Sequence, residues 1–308
     1  MLHRFTPTIF HNTIGSHAPV LEIDDGDSVI TPTLDAHGFD GLGAQLGRDP
    51  NPMTGPFFVR GAMPGDGLRI RIDHISLIRA TGWTRQGLAA HVVDPGVQHL
   101  LPAREKIDWL IDTNTGTSRP KLPPTGTDAW SVLLQPMIGC FGVAPAEGQA
   151  ISTATSGPYG GNMDYRGFGE GVEVLLPVST VGALVFLGDV HAAQGAGEIA
   201  GTGIETAAEI HFTVTIEKGR APGWPRGETA DAIFTVGNAR PLDQALQHAT
   251  TEMLAWLTTG YGLTAIAAGQ IMGQTVAYEI ANVFNPAYSL VCRMQKDAIP
   301  GLLPRSAA

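Results

Sequence analysis

The chain has 308 residues, 43% of them apolar, and a formal charge of −10 from 29 acidic and 19 basic side chains. That length and apolar content support a substantial core in a globular protein. The acidic balance, with Lys and Arg scattered singly, excludes a nucleic-acid partner, because nothing would neutralise a row of phosphates.

No stretch approaches the ~18 apolar residues of a membrane span, and the first residues lack the continuous apolar run of a secretory leader. Only Cys140 and Cys292 are present. They read as two buried thiols of a cytoplasmic protein rather than as a disulfide. Its 39 glycines and 22 prolines make up about a fifth of the chain, against about 12% in average usage. So many turn formers between short apolar runs predict a mainly β protein.

In chain order, residues 20–23 and 28–34 flank the turn formers Asp24, Asp25, Gly26 and Asp27 and predict a hairpin. Residues 38–56, rich in Gly, Pro, Asn and Asp, predict a long surface loop. Residues 57–62 and 68–72 predict a second strand–turn–strand, with Leu68, Ile70 and Ile72 facing inward. The stretch 80–128 is less regular and reads as an insertion or subdomain within one unit spanning 1–308. Strands are expected at 130–137, 139–143, 172–177, 182–187 and 209–216. Helical spacing then takes over at 242–257, with Gly260 as the stop, and at 263–273, before a last strand at 288–294.

The segment 188–205, GDVHAAQGAGEIAGTGIE, carries the most chemistry. It begins at the end of an apolar run. In an extended chain Asp189 and His191 are two residues apart and share a face. A carboxylate beside an imidazole suits a divalent metal or an acid/base pair. The turn Gln194, Gly195, Ala196, Gly197 then delivers Glu198, and Glu205 follows on the next extended stretch. Neutral His with two or three carboxylates suits zinc or a similar ion, while an ordinary surface hairpin is the plainer reading of the same spacing. Asn162 and Asp164, also two apart, either face a common site or cap an Asx-type turn. His11, Asp35 and His37 reach a site only if the fold brings them to it.

Several signatures are missing: HExxH, the P-loop, GxSxG and the third glycine of a dinucleotide fingerprint. None of the lysines sits in a Ser-Lys-Ser amidase context, and Cys140 lacks the Lys and Glu surroundings of a nitrilase nucleophile.

With these residues in view, the chain resembles the acetamidase/formamidase family over nearly its whole length. The resemblance rests on His11-Asn12, the 21–35 segment, Gly55-Pro56, and Gly160-Gly161-Asn162-Met163-Asp164. It continues through Gly188-Asp189-x-His191-Ala192-x-Gln194-Gly195-x-Gly197-Glu198, Gly201-Thr202-x-Ile204-Glu205 and Val283-x-Asn285-Pro286. It implies hydrolysis of formamide, acetamide or similar short amides to ammonia and a carboxylate. It also implies a mainly β, sandwich- or barrel-like fold with a few helices towards the C-terminus, assembly as a homodimer or higher homo-oligomer, and a divalent ion. Zinc is favoured, with calcium or another ion as the alternative.

Carried across, Asp164, Asp189, His191 and Glu198 are the favoured site cluster, with Asn162, Gln194 and Glu205 beside it; the roles we expect are a metal site of the first four, with Glu198, Glu205 and Asp164 as catalytic carboxylates. Asn162, Gln194, His37 and His11 are the expected substrate contacts. One departure stands out: the family pattern has an acid between the two glycines of QGxGE, where this chain has Ala196. Two rival expectations follow. One is a hydrolase or lyase of a larger amide-like substrate on the same scaffold; the other is a metal-binding homologue without turnover.

Overall fold

Period-two alternation decides which faces of the strands meet. In the computed structural model, which describes residues 1–298, the Gly67–Leu77 and Ala208–Glu217 strands pair antiparallel. Ile72 lies opposite Phe212 and Ile70 opposite Val214, and all four are buried on one face, as the alternation requires. Two large sheets build the described residues. The first runs, neighbour by neighbour, through Leu2–Arg4, Ser28–Pro32, Ala208–Glu217, Gly67–Leu77, Glu173–Pro177, Arg226–Glu228, Ala232–Ala239, Tyr288–Gln295 and Ala277–Asn282. The second runs through Val132–Leu133, Thr117–Pro120, Lys106–Asp112, Thr81–Arg85, Glu205–Thr206, Val185–His191, Met137–Val143, Gly160–Asn162 and Ser156–Gly157. Thr54–Val59 joins it through Val185–His191 and carries Leu21–Ile23 as a parallel neighbour. Phe57, Phe141 and Phe186 of the second sheet share one core with Phe212 and Phe234 of the first. The fold is mainly β and sandwich-like.

The expected hairpin is a corner instead, and the second strand–turn–strand also turns a corner between the sheets. Leu21–Ile23 pairs with Thr54–Val59 in the second sheet, whereas Ser28–Pro32 lies between Leu2–Arg4 and Ala208–Glu217 in the first. Thr54–Val59 and Gly67–Leu77 are likewise split between the sheets. A corner and a hairpin need the same turn residues, and both point apolar side chains at a common core, so Ile23 and Val29 are equally buried from opposite sheets. The first corner is fastened by Asp27, whose carboxylate accepts from the Asp24 amide at 3.0 Å and pairs with His3 at 2.7 Å and with the terminal amine.

The expected loop at 38–56 ends early, because Thr54 already belongs to a strand and Met53 is fully buried. Within 80–128, Thr81–Arg85, Lys106–Asp112 and Thr117–Pro120 extend the second sheet as an antiparallel meander. Of residues 130–137 only Val132–Leu133 and Met137 are strand. The Ala277–Asn282 strand went unpredicted, since its outer side chains Tyr278 and Ile280 are exposed and blur the alternation.

The helices Leu242–Thr259 and Ala265–Thr275 cover the far end of the first sheet. Ala245, Ala249, Met253 and Leu257, at helical spacing, pack against Ile233, Leu290, Cys292 and Met294. On the other face of those strands Phe234, Val236 and Val291 enter the inter-sheet core. Ala232–Ala239 is thus buried on both sides, which explains its near-continuous apolar run. Cys140 and Cys292 are both free and buried.

A charged group pins this layer. Glu252 on the first helix accepts from Arg226 Nε at 2.6 Å and from the Gly223 and Trp224 amides at 3.1 and 3.0 Å. Its removal would strand a half-buried guanidinium and two amides. Glu252→Ala is expected to cost about 3 kcal/mol. Urea denaturation checks this, as a lowered midpoint with an unchanged slope.

Candidate active site

The Val185–His191 strand lies inside the second sheet and ends at the site, with Met137–Val143 on one side and Glu205–Thr206 on the other. Glu205 stands directly opposite His191 in the register. Asp189 and His191 do converge, with His191 Nε2 3.5 Å from Asp189 Oδ1, but not because the chain is extended there. Asp189 sits at φ +56°, and Asp164 and Glu198 at +45° and +44°. Such left-handed residues each cost about 1–3 kcal/mol and cluster where function requires a side chain to be aimed.

Two glycines make room. A Cβ at Gly139 would lie 2.5 Å from Asp164 Oδ1 and 3.0 Å from Asp189 Oδ2, and one at Gly203 would lie 2.4 Å from His191 Nδ1. Only glycine lets the backbone pass so close to the cluster at these two points.

Asp164, Asp189, His191, Glu198 and Glu205 are each 6% exposed or less. Their ligating atoms form two triads, Asp164–Asp189–His191 and His191–Glu198–Glu205, in which all atoms lie within 4.8 Å of one another. The Nε2 of His191 is 3.2 Å from Glu205 Oε1.

Gln194 decides which ring nitrogen carries hydrogen. Its Nε2 donates to the carbonyls of Asp164 at 2.5 Å and Ala281 at 3.4 Å, which turns Oε1 towards His191 Nδ1 at 2.7 Å. That oxygen only accepts, so Nδ1 carries a hydrogen, and Nε2 is the ring nitrogen that faces the acids. Amides bracket the carboxylates as well. Asn51 Nδ2 donates to Asp189 Oδ2 at 2.9 Å and to Asn162 Oδ1 at 3.2 Å. Asn285 Nδ2 donates to Asp164 Oδ2 at 2.6 Å. The Gln194–Glu198 loop is tied down by Gly197, which donates to the Ile280 carbonyl at 2.8 Å and accepts from Val283 at 2.9 Å.

After these bonds, one oxygen of each acid is buried with no hydrogen-bond partner: Asp164 Oδ1, Asp189 Oδ1, Glu198 Oε2 and Glu205 Oε2. Four acids with an orphan oxygen each, grouped in two triads that share His191, form a donor set that fits a divalent cation. Protons are the substitute when no cation is bound. Burial first, then the Asp189 charge, raises Asp164 to about 7. Burial raises Glu205 to about 8, with His191 opposing and Asp189 adding to the rise. Burial and the Asp164 charge hold Glu198 well above its ordinary value. For His191 burial acts downward, but Glu205 and Asp189 more than offset it, and its pKa stands well above the usual range.

The cluster floors an open cavity of about 400 Å³. Asn162 lines its wall, as does His37, whose ring stacks on Trp83 at 3.8 Å. Asp35 stands behind that pair, accepting from Trp83 Nε1 at 3.1 Å and Arg79 Nη2 at 2.6 Å. His11 is not among the lining residues. It stacks on His17 at 4.0 Å, and its backbone bridges Met53. With Asn12 donating to the Arg48 carbonyl at 2.6 Å, it steadies the loop that presents Asn51. Ala196 is exposed at a loop tip and does not line the cavity. Gly139, Gly203, Asn51 and Trp83 escaped the sequence reading, because no local pattern distinguishes a loop Asn that reaches a buried acid from one that caps a turn.

The raised values set a direction with pH. Carboxyls of the unfolded chain titrate near about 4, while Asp164 and Glu205 hold their protons to about 7 and 8 when folded. The native state therefore binds more protons across that interval, and stability falls as pH rises through it. His191, raised likewise, acts in the same direction above its unfolded value. Chelator-treated protein is expected to lose several degrees of thermal midpoint between pH 5 and 8. A divalent cation should restore most of it at the upper end, and a midpoint rising with pH would contradict the assignment.

Comparison with known proteins agrees with this geometry. The Acetamidase/Formamidase family profile matches residues 144–282, which contain all five cluster residues. An acetamidase from Mycolicibacterium smegmatis is 33% identical over 178 residues, covering 55% of this chain and 40% of the relative. The chain spans 40%, 64% and 51% of the length of the three curated relatives it matches. The crystal structure of an acetamidase from Yersinia enterocolitica superposes with a TM-score of 0.84 at 28% identity, covering 96% of this chain and 92% of that one. A predicted acetamidase/formamidase from Thermoanaerobacter tengcongensis gives 0.83 at 27% identity and 96% coverage of both. The fold and the central motifs are thus similar to those of the acetamidase/formamidase family.

Proposed function

We propose that the protein hydrolyses the C–N bond of short linear amides to ammonia and a carboxylate, assisted by a divalent cation in the buried cluster. The observation that carries the reading is the buried pair of triads sharing His191, whose four acids each keep an oxygen without a hydrogen-bond partner. Asp164, Asp189 and His191, with Glu198, would hold the cation. Zinc is favoured because an imidazole stands at the shared corner of both triads, whereas calcium sites are built from oxygen alone. Such an ion supplies Lewis acidity and lowers the pKa of bound water to about 7.

The chain's own groups do the rest. Asn162 and His37 line the cavity and orient the amide over the cluster. Glu198 or Glu205, both lining the cavity, takes a proton from the water that adds to the carbonyl carbon and passes it to the nitrogen as the C–N bond breaks. The place of Ala196 outside the cavity favours turnover over a binding protein that has lost it. Buried free thiols fit a cytoplasmic location, and no helix of the described residues is long and apolar enough to cross a membrane. Exposed Leu122, Trp130 and Leu133, in and beside an edge strand of the second sheet, favour self-association as a homodimer or higher homo-oligomer.

Ammonia release from formamide and acetamide tests the main claim. Activity is expected to vanish on chelation and to return with zinc, and full activity in cation-free protein would overturn the cation's role. Glu198→Gln is expected to lower kcat by about a hundredfold or more. Gln194→Leu, which frees the imidazole to turn, should weaken cation affinity about ten- to a hundredfold by calorimetry.

A further inference from the structure

The cavity lining also carries two basic side chains, Arg85 and Arg104. Arg104 Nη1 is buried without a hydrogen-bond partner, and its guanidinium lies 4.9 Å from the centre of the Phe284 ring. Arg85 lies 5.6 Å from the centre of the Trp83 ring, and its nearest polar contact is a long 3.4 Å approach to His37 Nε2. Neither forms a salt bridge among the described residues, whereas Arg69, Arg79 and Arg226, also sequestered, each hold a carboxylate. Asp49 on the same rim lies 3.8 Å from His37, and Glu198 attracts Arg104 without reaching bridging distance. Burial and the charge of Arg85 both press down on the pKa of Arg104, so the pair is short of an anion.

Size supports the same conclusion. Formamide has three heavy atoms, and a water molecule's share of liquid is only about 30 Å³. A cavity of about 400 Å³ holds a considerably longer molecule.

We infer that Arg85 and Arg104 form a carboxylate-binding subsite, and that the preferred substrates are short amides with a carboxylate at the end remote from the amide. This inference rests on the amidase reading and narrows its substrate class to monoamides of short dicarboxylic acids. The planar guanidinium fork matches a carboxylate in a way that stacked, anchored rings keep fixed.

The test compares kcat/KM for succinamate and for butyramide, which has a methyl group where succinamate has its carboxylate. Wild-type protein is expected to favour succinamate about ten- to a hundredfold, and R85Q/R104Q should bring the ratio close to one. The single variants R85Q and R104Q carry the same comparison if the double variant does not fold. A wild-type ratio at or below one, or a ratio that the variants leave unchanged, overturns the inference. Calorimetry with levulinate, a ketone analogue of succinamate, separates the two readings. Binding to wild type but not to the variant, without hydrolysis of either amide, would keep the subsite and sink the amidase reading. No levulinate binding alongside normal butyramide hydrolysis would do the reverse.

Discussion

Like charges gathered out of water dominate this molecule. Two carboxylates 4 Å apart repel by about 4 kcal/mol at the effective dielectric of a protein near its surface, and deeper burial raises the figure. Here four carboxylates share one buried cluster with a single imidazole. Such a cluster persists only if its charge is neutralised and its geometry is imposed from outside. The left-handed backbone at Asp164, Asp189 and Glu198, and the absence of side chains at Gly139 and Gly203, are local costs of that arrangement. The amides of Asn51, Gln194 and Asn285 hold one side of the cluster and leave the other side open to a cation or protons.

The sandwich explains how so many constraints meet. Asp189 and His191 come from an inner strand of the second sheet, and Glu205 from its neighbour. Asn285 arrives on the connection between two strands of the first sheet, which the helical layer backs. Asn51 is delivered by the loop that His11 and Asn12 steady from below. A core shared by both sheets fixes these origins relative to one another. Precision at the site is thus inherited from packing far from it.

Much of this was legible in the chain. Glycine and proline punctuation gave away the mainly β class, and helical spacing located the helices at Leu242–Thr259 and Ala265–Thr275 to within a few residues. The central motif also led to residues that do converge. The reasons were sometimes different, however: Asp189 meets His191 through a left-handed residue, not through extended alternation. One corner passed for a hairpin because turn chemistry is local, while the choice of sheet is made by partners tens to hundreds of residues away. His11 was expected at the substrate and stands beneath a loop instead. Arg85 and Arg104 were invisible, since a lone arginine gains meaning only when the fold shows that no carboxylate answers it.

Anomalous diffraction from crystals equilibrated with zinc, recorded at the zinc edge, tests the central claim most directly. A peak is expected between His191 Nε2 and the carboxylates of Asp164, Asp189, Glu198 and Glu205, lost in His191→Ala. A cluster without anomalous signal, in protein that still releases ammonia from an amide, would contradict it.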